Sequence, residues 1–369
     1  IALLYLTAAL FGGLTVARNE AYASAILIWK DTVAKVPSNS RAHDNYGVEL
    51  SKMPAMQSEA VRQYEEAIVI RPSFAEAHRD LAVALSEIPG RSAEAIGQFE
   101  KALQLRPNFP EAENGLGVEL GKLPGRSGDS MDHLRAALRL NPDYPQAHSN
   151  LAAALAKLPG QMDAAIAEYG EALRLDPNFP EAHNGLAVAF ARMPGRTGDA
   201  LDQFSQAIRI RPGYVNALCN RAKVLAGIPG RGVEAIGGFK EVLGIDPGNV
   251  DANLGLGKLL GESGMAGDTG TDYLAKACQL DPRRVDIQIA LANSLLGSPG
   301  MLAQAEAHYE AALAVDPNLP EGHNGLGVAY AKEGNVAKAI EELQAAVQLR
   351  PGFKEAEDNL RALEQRKIR

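Results

Sequence analysis

Cysteine is nearly absent. Cys219 and Cys278 are the only two, far apart and without a paired spacing, which excludes a disulfide framework. They read as small buried or half-buried helix residues. Basic excess is absent as well: 37 Lys and Arg stand against 45 Asp and Glu, a net charge of −8. No basic stripe offers itself for counterion release, so nucleic acid is not an expected partner. Aromatic residues make up 5% of the chain, with a single tryptophan. Phosphate loops are missing too. The runs Asn114-Gly115-Leu116-Gly117, Asn184-Gly185 and Asn324-Gly325-Leu326-Gly327 have no strand before them and no Lys-Ser/Thr after them.

What the chain has is a period. Prolines stand at Pro37, Pro72, Pro107, Pro142, Pro177, Pro212, Pro247, Pro282 and Pro317, every step 35 residues, and Pro351 follows after a step of 34. Such a period signals a solenoid of stacked supersecondary units. In the unit Arg71–Pro107 the residues Ala77, Leu81, Ala84 and Leu85 form the apolar stripe of one helix, and Ala95, Ile96, Phe99, Ala102 and Leu103 that of a second. Ile88-Pro89-Gly90-Arg91 separates them, and Arg106-Pro107 ends the second. Pro110, Pro145, Pro180 and Pro320 sit where a first helix opens and a missing N–H costs nothing.

Counting from each marker proline, position 10 is always small: Gly47, Ala82, Gly117, Ala152, Ala187, Ala222, Gly257, Ala292, Gly327. A second small position lies twelve before the next marker, from Ala60 and Ala95 through Ser130 to Gly270 and Ala339. Eight before the marker comes a ring or a leucine: Tyr64, Phe99, Leu134, Tyr169, Phe204, Phe239, Leu274, Tyr309, Leu343. Small residues let helix axes approach and the large one fills the gap, so the units are expected to stack as knobs and holes.

These positions, with the closing proline, resemble the tetratricopeptide repeat (TPR) from about Pro37 to Pro351. One departure is consistent: most units carry an extra residue in the Pro-Gly-Arg turn, while Glu333-Gly334-Asn335 has the usual length. The resemblance implies an all-α fold, a right-handed α-α superhelical solenoid of nine TPR hairpins with a C-terminal capping helix. The expected divisions are 1–17, a hydrophobic helix; 18–37, an unpaired repeat-like helix; 38–351, nine TPR units; and 352–369, the cap. Arg361 in that last stretch stands where earlier units have Gly or Ala and blocks further stacking.

Residues 1–17 carry no charge and reach the lower limit for crossing a bilayer. They lack a basic n-region, so a signal peptide is not the reading. The stretch reads as the tail of a longer membrane segment, and the alternative is a first-type helix docked on Trp29, in the same chain or a neighbouring copy. Arg18-Asn19, Trp29, Pro37 and Arg41-Ala42-His43-Asp44-Asn45 resemble the junction between the membrane part and the repeats of transmembrane and TPR-containing O-mannosyltransferase-like proteins. That resemblance implies a membrane-anchored protein with its repeats on the extracytoplasmic side, whereas Arg18, Lys30 and Lys35 lean the other way. A secreted or surface assembly is the alternative. The family's catalytic loops lie upstream, so no catalytic residue carries over.

Chemistry within the repeats finds little footing. His43, His78, His148, His183 and His323 share position 6, but equivalent residues are two helices apart, too far for one metal ion. Asp129, Ser130, Asp132 and His133 crowd one helix start, yet neighbours in sequence point apart on a helix. No catalytic residue, metal site or cofactor is expected. The glycine-rich turn 262–268 and Ile287, Ile289 and Leu291 suggest a bent or frayed unit.

What remains is recognition. The TPR resemblance implies a groove lined by positions 4, 7, 8 and 11, and asparagine ladders in similar arrays hold the backbone of extended peptides. Here Asn45, Asn114, Asn150, Asn184, Asn220 and Asn324 occupy position 7 or 8; an amide donates and accepts at once. Lys223 and Lys258, at position 11, are a basic pair in phase beside Asn216, Asn220 and Asn253. Position 4 is mostly acidic, which helix dipoles favour. The expected function is a non-catalytic scaffold for a protein or peptide ligand. The alternatives are the substrate-recruiting tail of a membrane glycosyltransferase and a self-assembling, filament-forming subunit.

Overall fold

The computed structural model describes residues 24–263, 270–298 and 300–367. The apolar stretch 1–17 and the turn 264–269, with the expectations attached to them, lie outside those residues. Among the described residues the regular structure is helical, with no strand, and no helix is long and apolar enough to cross a membrane. The chain divides into two compact units, residues 1–189 and 190–369.

In the first unit α1 (Ala25–Lys35) precedes four helical hairpins. These are α2 (Ser40–Ser51) with α3 (Gln57–Ile70), α4 (Ala75–Ser86) with α5 (Ser92–Leu105), α6 (Pro110–Leu120) with α7 (Ser127–Leu140), and α8 (Pro145–Leu155) with α9 (Met162–Leu175). α10 (Pro180–Ala191) follows and ends just past the boundary. Ile26, Trp29 and Val33 of α1 pack on Tyr46, Leu50 and Tyr64, so this helix covers the open side of the first hairpin.

The second unit begins its regular structure with α11 (Thr197–Ile210). Four hairpins come next: α12 (Val215–Ala226) with α13 (Gly232–Ile245), α14 (Val250–Ser263) with α15 (Gly270–Leu280), α16 (Val285–Leu296) with α17 (Leu302–Val315), and α18 (Pro320–Glu333) with α19 (Val336–Leu349). α20 (Lys354–Lys367) ends the array, placing Leu360 and Leu363 on the last hydrophobic cluster. On its outer side Arg361 pairs with Asp358 at 3.5 Å.

Local sequence explains each hairpin. α6, α8 and α18 have proline in their first turn, where the N–H would be an orphan. Most turns between paired helices bring a glycine to positive φ, such as Gly90 at 84° and Gly125 at 76°. That conformation suits a residue without a Cβ. The first hairpin has Pro54-Ala55-Met56 instead and turns through a short 3-10 helix. Second helices close the same way: the N–H of Arg106 donates to Ala102 at 2.8 Å, and Pro107 prevents another turn.

Packing follows the periodic small and large positions. Ala60, Ala95, Ala165, Ala235, Ala305 and Ala339 are fully buried. Tyr64, Phe99, Leu134, Phe239, Leu274, Tyr309 and Leu343 are all no more than 3% exposed. Each such side chain contributes on the order of 1.5–3 kcal/mol by leaving water. The large residue faces the position-10 residue of its own hairpin: a Cβ on Gly117 would lie 2.8 Å from Leu134, and one on Gly327 2.8 Å from Leu343. Its other side reaches the next hairpin. A Cβ on Gly115 would overlap the Phe99 ring, and one on Gly325 the Tyr309 ring. The Phe99 and Tyr309 rings therefore span the interface between successive hairpins. Ser130 takes an alanine place and satisfies its hydroxyl by donating to the Gly117 carbonyl at 2.6 Å.

Candidate functional site: the first-helix face

The position-6 histidines are structural. His43 Nε2 donates to the Pro37 carbonyl at 3.0 Å, and its Nδ1 is hydrogen-bonded with the Gln63 side chain at 2.7 Å. His78 repeats this with Gln98 and Pro72, and His148 with Glu168 and Pro142. His323 holds Glu342 and the Pro317 carbonyl. One imidazole thus ties the start of a hairpin to its first and second helices. In two units the pair is reversed, Glu113 with His133 and Gln288 with His308, each at 2.6 Å. The crowd around Ser130 disperses accordingly: Ser130 bonds backbone, His133 bonds Glu113, and Asp129 pairs with Arg126. The two cysteines are free thiols, and burial pushes both upward in pKa.

The first-helix face carries amide and charged groups that these hairpin pairs do not use. In the first unit Asn150 donates to Asn114 Oδ1 at 2.9 Å across successive first helices. Tyr144 is hydrogen-bonded with Asn114; burial first, and Glu111 second, push its phenol pKa up. Asn45 lines a cavity of about 550 Å³ with Arg41, Asp44, Arg71, Glu76 and Arg106. Asn184 is half-buried on α10.

Asp44 is the unusual member of that cavity. It is 7% exposed, and its Oδ1 has no hydrogen-bond partner. Burial is the main cause that pushes its carboxyl up to about 7, with Asp80 and Glu76 adding and Arg79 opposing. Burial raises Asp80 as well. Arg79 Nε lies 3.1 Å from Asp80 Oδ1 without hydrogen-bond alignment, and its guanidinium sits 5.7 Å from the Phe109 ring centre. Arg106 stacks on the same ring at 4.4 Å and pairs with Glu76. Charged residues at positions 7 and 8 of two consecutive units, Asp44 and then Arg79-Asp80, were the available sequence signal for this cluster. It is hidden by the amides that dominate those positions elsewhere.

In the second unit the lysine pair splits. Lys223 is bound to Asp251 at 2.6 Å, and Asp251 also holds Arg284 at 2.5 Å. Burial pushes Asp251 up, but hydrogen bonds from Lys223 and Arg284 outweigh it and hold the carboxyl below its ordinary value. Lys223 is therefore neutralised. Lys258 makes no ion pair among the described residues and lines a cavity of about 550 Å³ with Val285, Ile289 and Leu319. Asn253 is buried and donates to the Pro247 and Asn249 carbonyls, so it is a helix-start bond rather than a groove contact. Asn216 is exposed, and Asn220 half-buried, on α12. Asn324 donates to Glu355 at 3.2 Å and accepts from Asn359 at 3.0 Å, a second amide pair across successive first helices.

Comparison with known proteins agrees with the repeats. A family profile described as Tetratricopeptide repeat matches residues 58–112 and 289–352, and one described as TPR repeat matches 160–193. No curated protein matches the sequence. Among solved structures, a human IFIT1 dimer with m7Gppp-AAAA is similar at a TM-score of 0.57 and 20% identity, over 92% of this chain and 88% of that one. The APC/C hetero-tetramer Cut9-Hcn1 is similar at 0.60 and 13% identity, over 91% and 80%. These likenesses show the fold. Tetratricopeptide repeats are thus present in the chain, while nothing in the comparisons supports the O-mannosyltransferase-like junction.

Proposed function

We propose that this tetratricopeptide-repeat chain is a non-catalytic scaffold that holds an extended polypeptide on the face of its first helices. The observation that supports it is the lateral amide pairing of Asn114 with Asn150. An amide has two donors and an acceptor with two lone pairs, so each partner keeps capacity for a peptide backbone after that bond is made. Asn45 and Asn184 extend the contact set of the first unit; in the second unit Asn220, Asn324 and Lys258 offer the same chemistry by themselves, and Lys223 takes part only if its bond to Asp251 opens.

The test is binding of a labelled peptide library to the intact chain by fluorescence anisotropy. Asn114→Ala with Asn150→Ala should weaken peptides of many sequences together, because a backbone contact is blind to side chains. Equal affinity before and after would reject the reading. The IFIT1 structures with PPP-AAAA and m7Gppp-AAAA share only the fold with this chain, and its net charge of −8 opposes phosphate binding. Membrane attachment through residues 1–17 belongs to the same reading, with the repeats as the soluble part. Recovery of the intact chain from the detergent-free aqueous phase would count against that attachment.

A further inference from the structure

The cavity around Asp44 contains two arginines outside any ion pair and a carboxylate oxygen without a donor. Arg106 is committed to Glu76 and Arg79 to Asp80. Arg41 and Arg71 make no ion pair among the described residues; Arg71 covers the Phe74 ring at 5.2 Å and helps, after Arg106, to favour the ionised form of Glu76 through space. Asp44 lines the same cavity, buried and with Oδ1 unsatisfied. A buried polar atom without a partner is costly and points to a ligand. Two guanidiniums outside any ion pair suit an oxyanion, because their planar donor forks match it. An ionised Asp44 would repel that oxyanion, whereas a neutral carboxyl would donate to it.

We propose that this cavity binds a carboxylate of an acidic polypeptide, gripped by Arg41 and Arg71, with protonated Asp44 donating a hydrogen bond to it. The inference rests on the polypeptide-binding reading and adds a ligand class and a pH dependence to it. The groups that set the proton on Asp44 face it from two neighbouring helices. Asp80 and Glu76 of α4 favour protonation and Arg79 of α4 opposes it, while Tyr64 of α3 is coupled to it and, with its own pKa raised chiefly by burial, stays neutral. Arg41 stands one turn away on the same helix. With the carboxyl titrating at about 7, the competent form is a minority under alkaline conditions and dominates under mildly acid ones.

The probe is a labelled, C-terminally amidated peptide of alternating glutamate and glycine, titrated with the intact chain by anisotropy. Affinity should rise about tenfold from about pH 8 to about pH 6, because apparent affinity scales with the competent fraction. Arg41→Ala with Arg71→Ala should abolish binding. Asp44→Asn, which keeps the shape and supplies a permanent donor, should bind at the higher pH as the native chain binds at the lower one. A glutamine-glycine peptide should not bind here, and a free C-terminus on it would reveal a terminal carboxylate as an alternative source of the same chemistry. Retention of the pH slope in Asp44→Asn would overturn the proposal, as would indifference to the arginine substitutions or stronger binding of single-stranded RNA than of the acidic peptide. If neutral peptides bind and respond only to Asn114→Ala with Asn150→Ala, the carboxylate site fails and the broader polypeptide reading stands.

Discussion

Glu113 and His133 make the same bond across their hairpin as His148 and Glu168 make across the next, both 2.6 Å long, with acid and imidazole exchanged between the helices. The hairpin thus specifies a pair, and either helix can supply the ring. What the exchange loses is the second imidazole bond, since His148 also holds the Pro142 carbonyl at 2.9 Å and a carboxylate cannot donate there.

A double-mutant cycle tests this. His148→Glu alone sets two carboxylates together, and Glu168→His alone sets two rings together. Each should cost about 1–3 kcal/mol, and the double substitution should recover at least half of the summed loss, a coupling of the size expected for residues in direct contact. Urea denaturation of the four proteins measures it. Strict additivity would remove the pair from the account of hairpin stability.

The sequence carried this architecture openly because duplication writes each packing contact nine times. Position 10 reads Gly or Ala throughout, and the large side chain eight before each marker is what fills the space so left. The histidines were periodic too, but their meaning was not in the spacing alone. It needed the residue twenty positions on, Gln63 or Glu168, together with the backbone carbonyl of Pro37 or Pro142. The site was less legible for a related reason. Lys223 holds a groove position by register and Asn253 stands near the pair at position 6, yet a nearby carboxylate claims the lysine and backbone carbonyls claim the amide. A count of positions cannot see which partner wins.

The ring between hairpins gives a second prediction. Gly115→Ala should drive its Cβ into Phe99, and Gly325→Ala into Tyr309, because both glycines touch the rings directly. A loss of about 1–3 kcal/mol is expected for overpacking at either place. Gly97→Ala is the control: it lies within α5 with nothing within 4 Å of the new methyl, so it should stabilise by about 0.4–1 kcal/mol. Opposite signs in chemical denaturation are the expected outcome. The same sign for all three would refute close approach at Gly115 and Gly325.

Asp251 offers a third. It is shared by Lys223 and Arg284 and its carboxyl is held below the ordinary value, so it stabilises the fold once ionised in the unfolded chain. That contribution is present above about pH 4 and disappears as acid titrates the folded carboxyl. Asp251→Asn should cost about 1 kcal/mol or less at neutral pH, since both pairs are partly exposed, and the cost should shrink with added salt. Salt-independent destabilisation would mean that packing, not charge, is what the substitution removes.

Asp44 should behave in the opposite sense. Its carboxyl is pushed up to about 7 by burial, well above an ordinary aspartate. The folded chain keeps the proton where the unfolded chain has released it, so native stability falls as pH rises from about 4 and levels off above about 7. Asparagine has the same shape and no proton to lose. Asp44→Asn should therefore match the native chain near pH 4 and exceed it by roughly 2–4 kcal/mol near pH 8, an order of magnitude set by the size of the shift. Urea midpoints measured across that range give the difference curve, in which every other carboxylate cancels. A flat curve would show that Asp44 is ionised in the folded chain at neutral pH. The donor assigned to it in the carboxylate site would then be missing, and binding there would have to proceed against a buried negative charge.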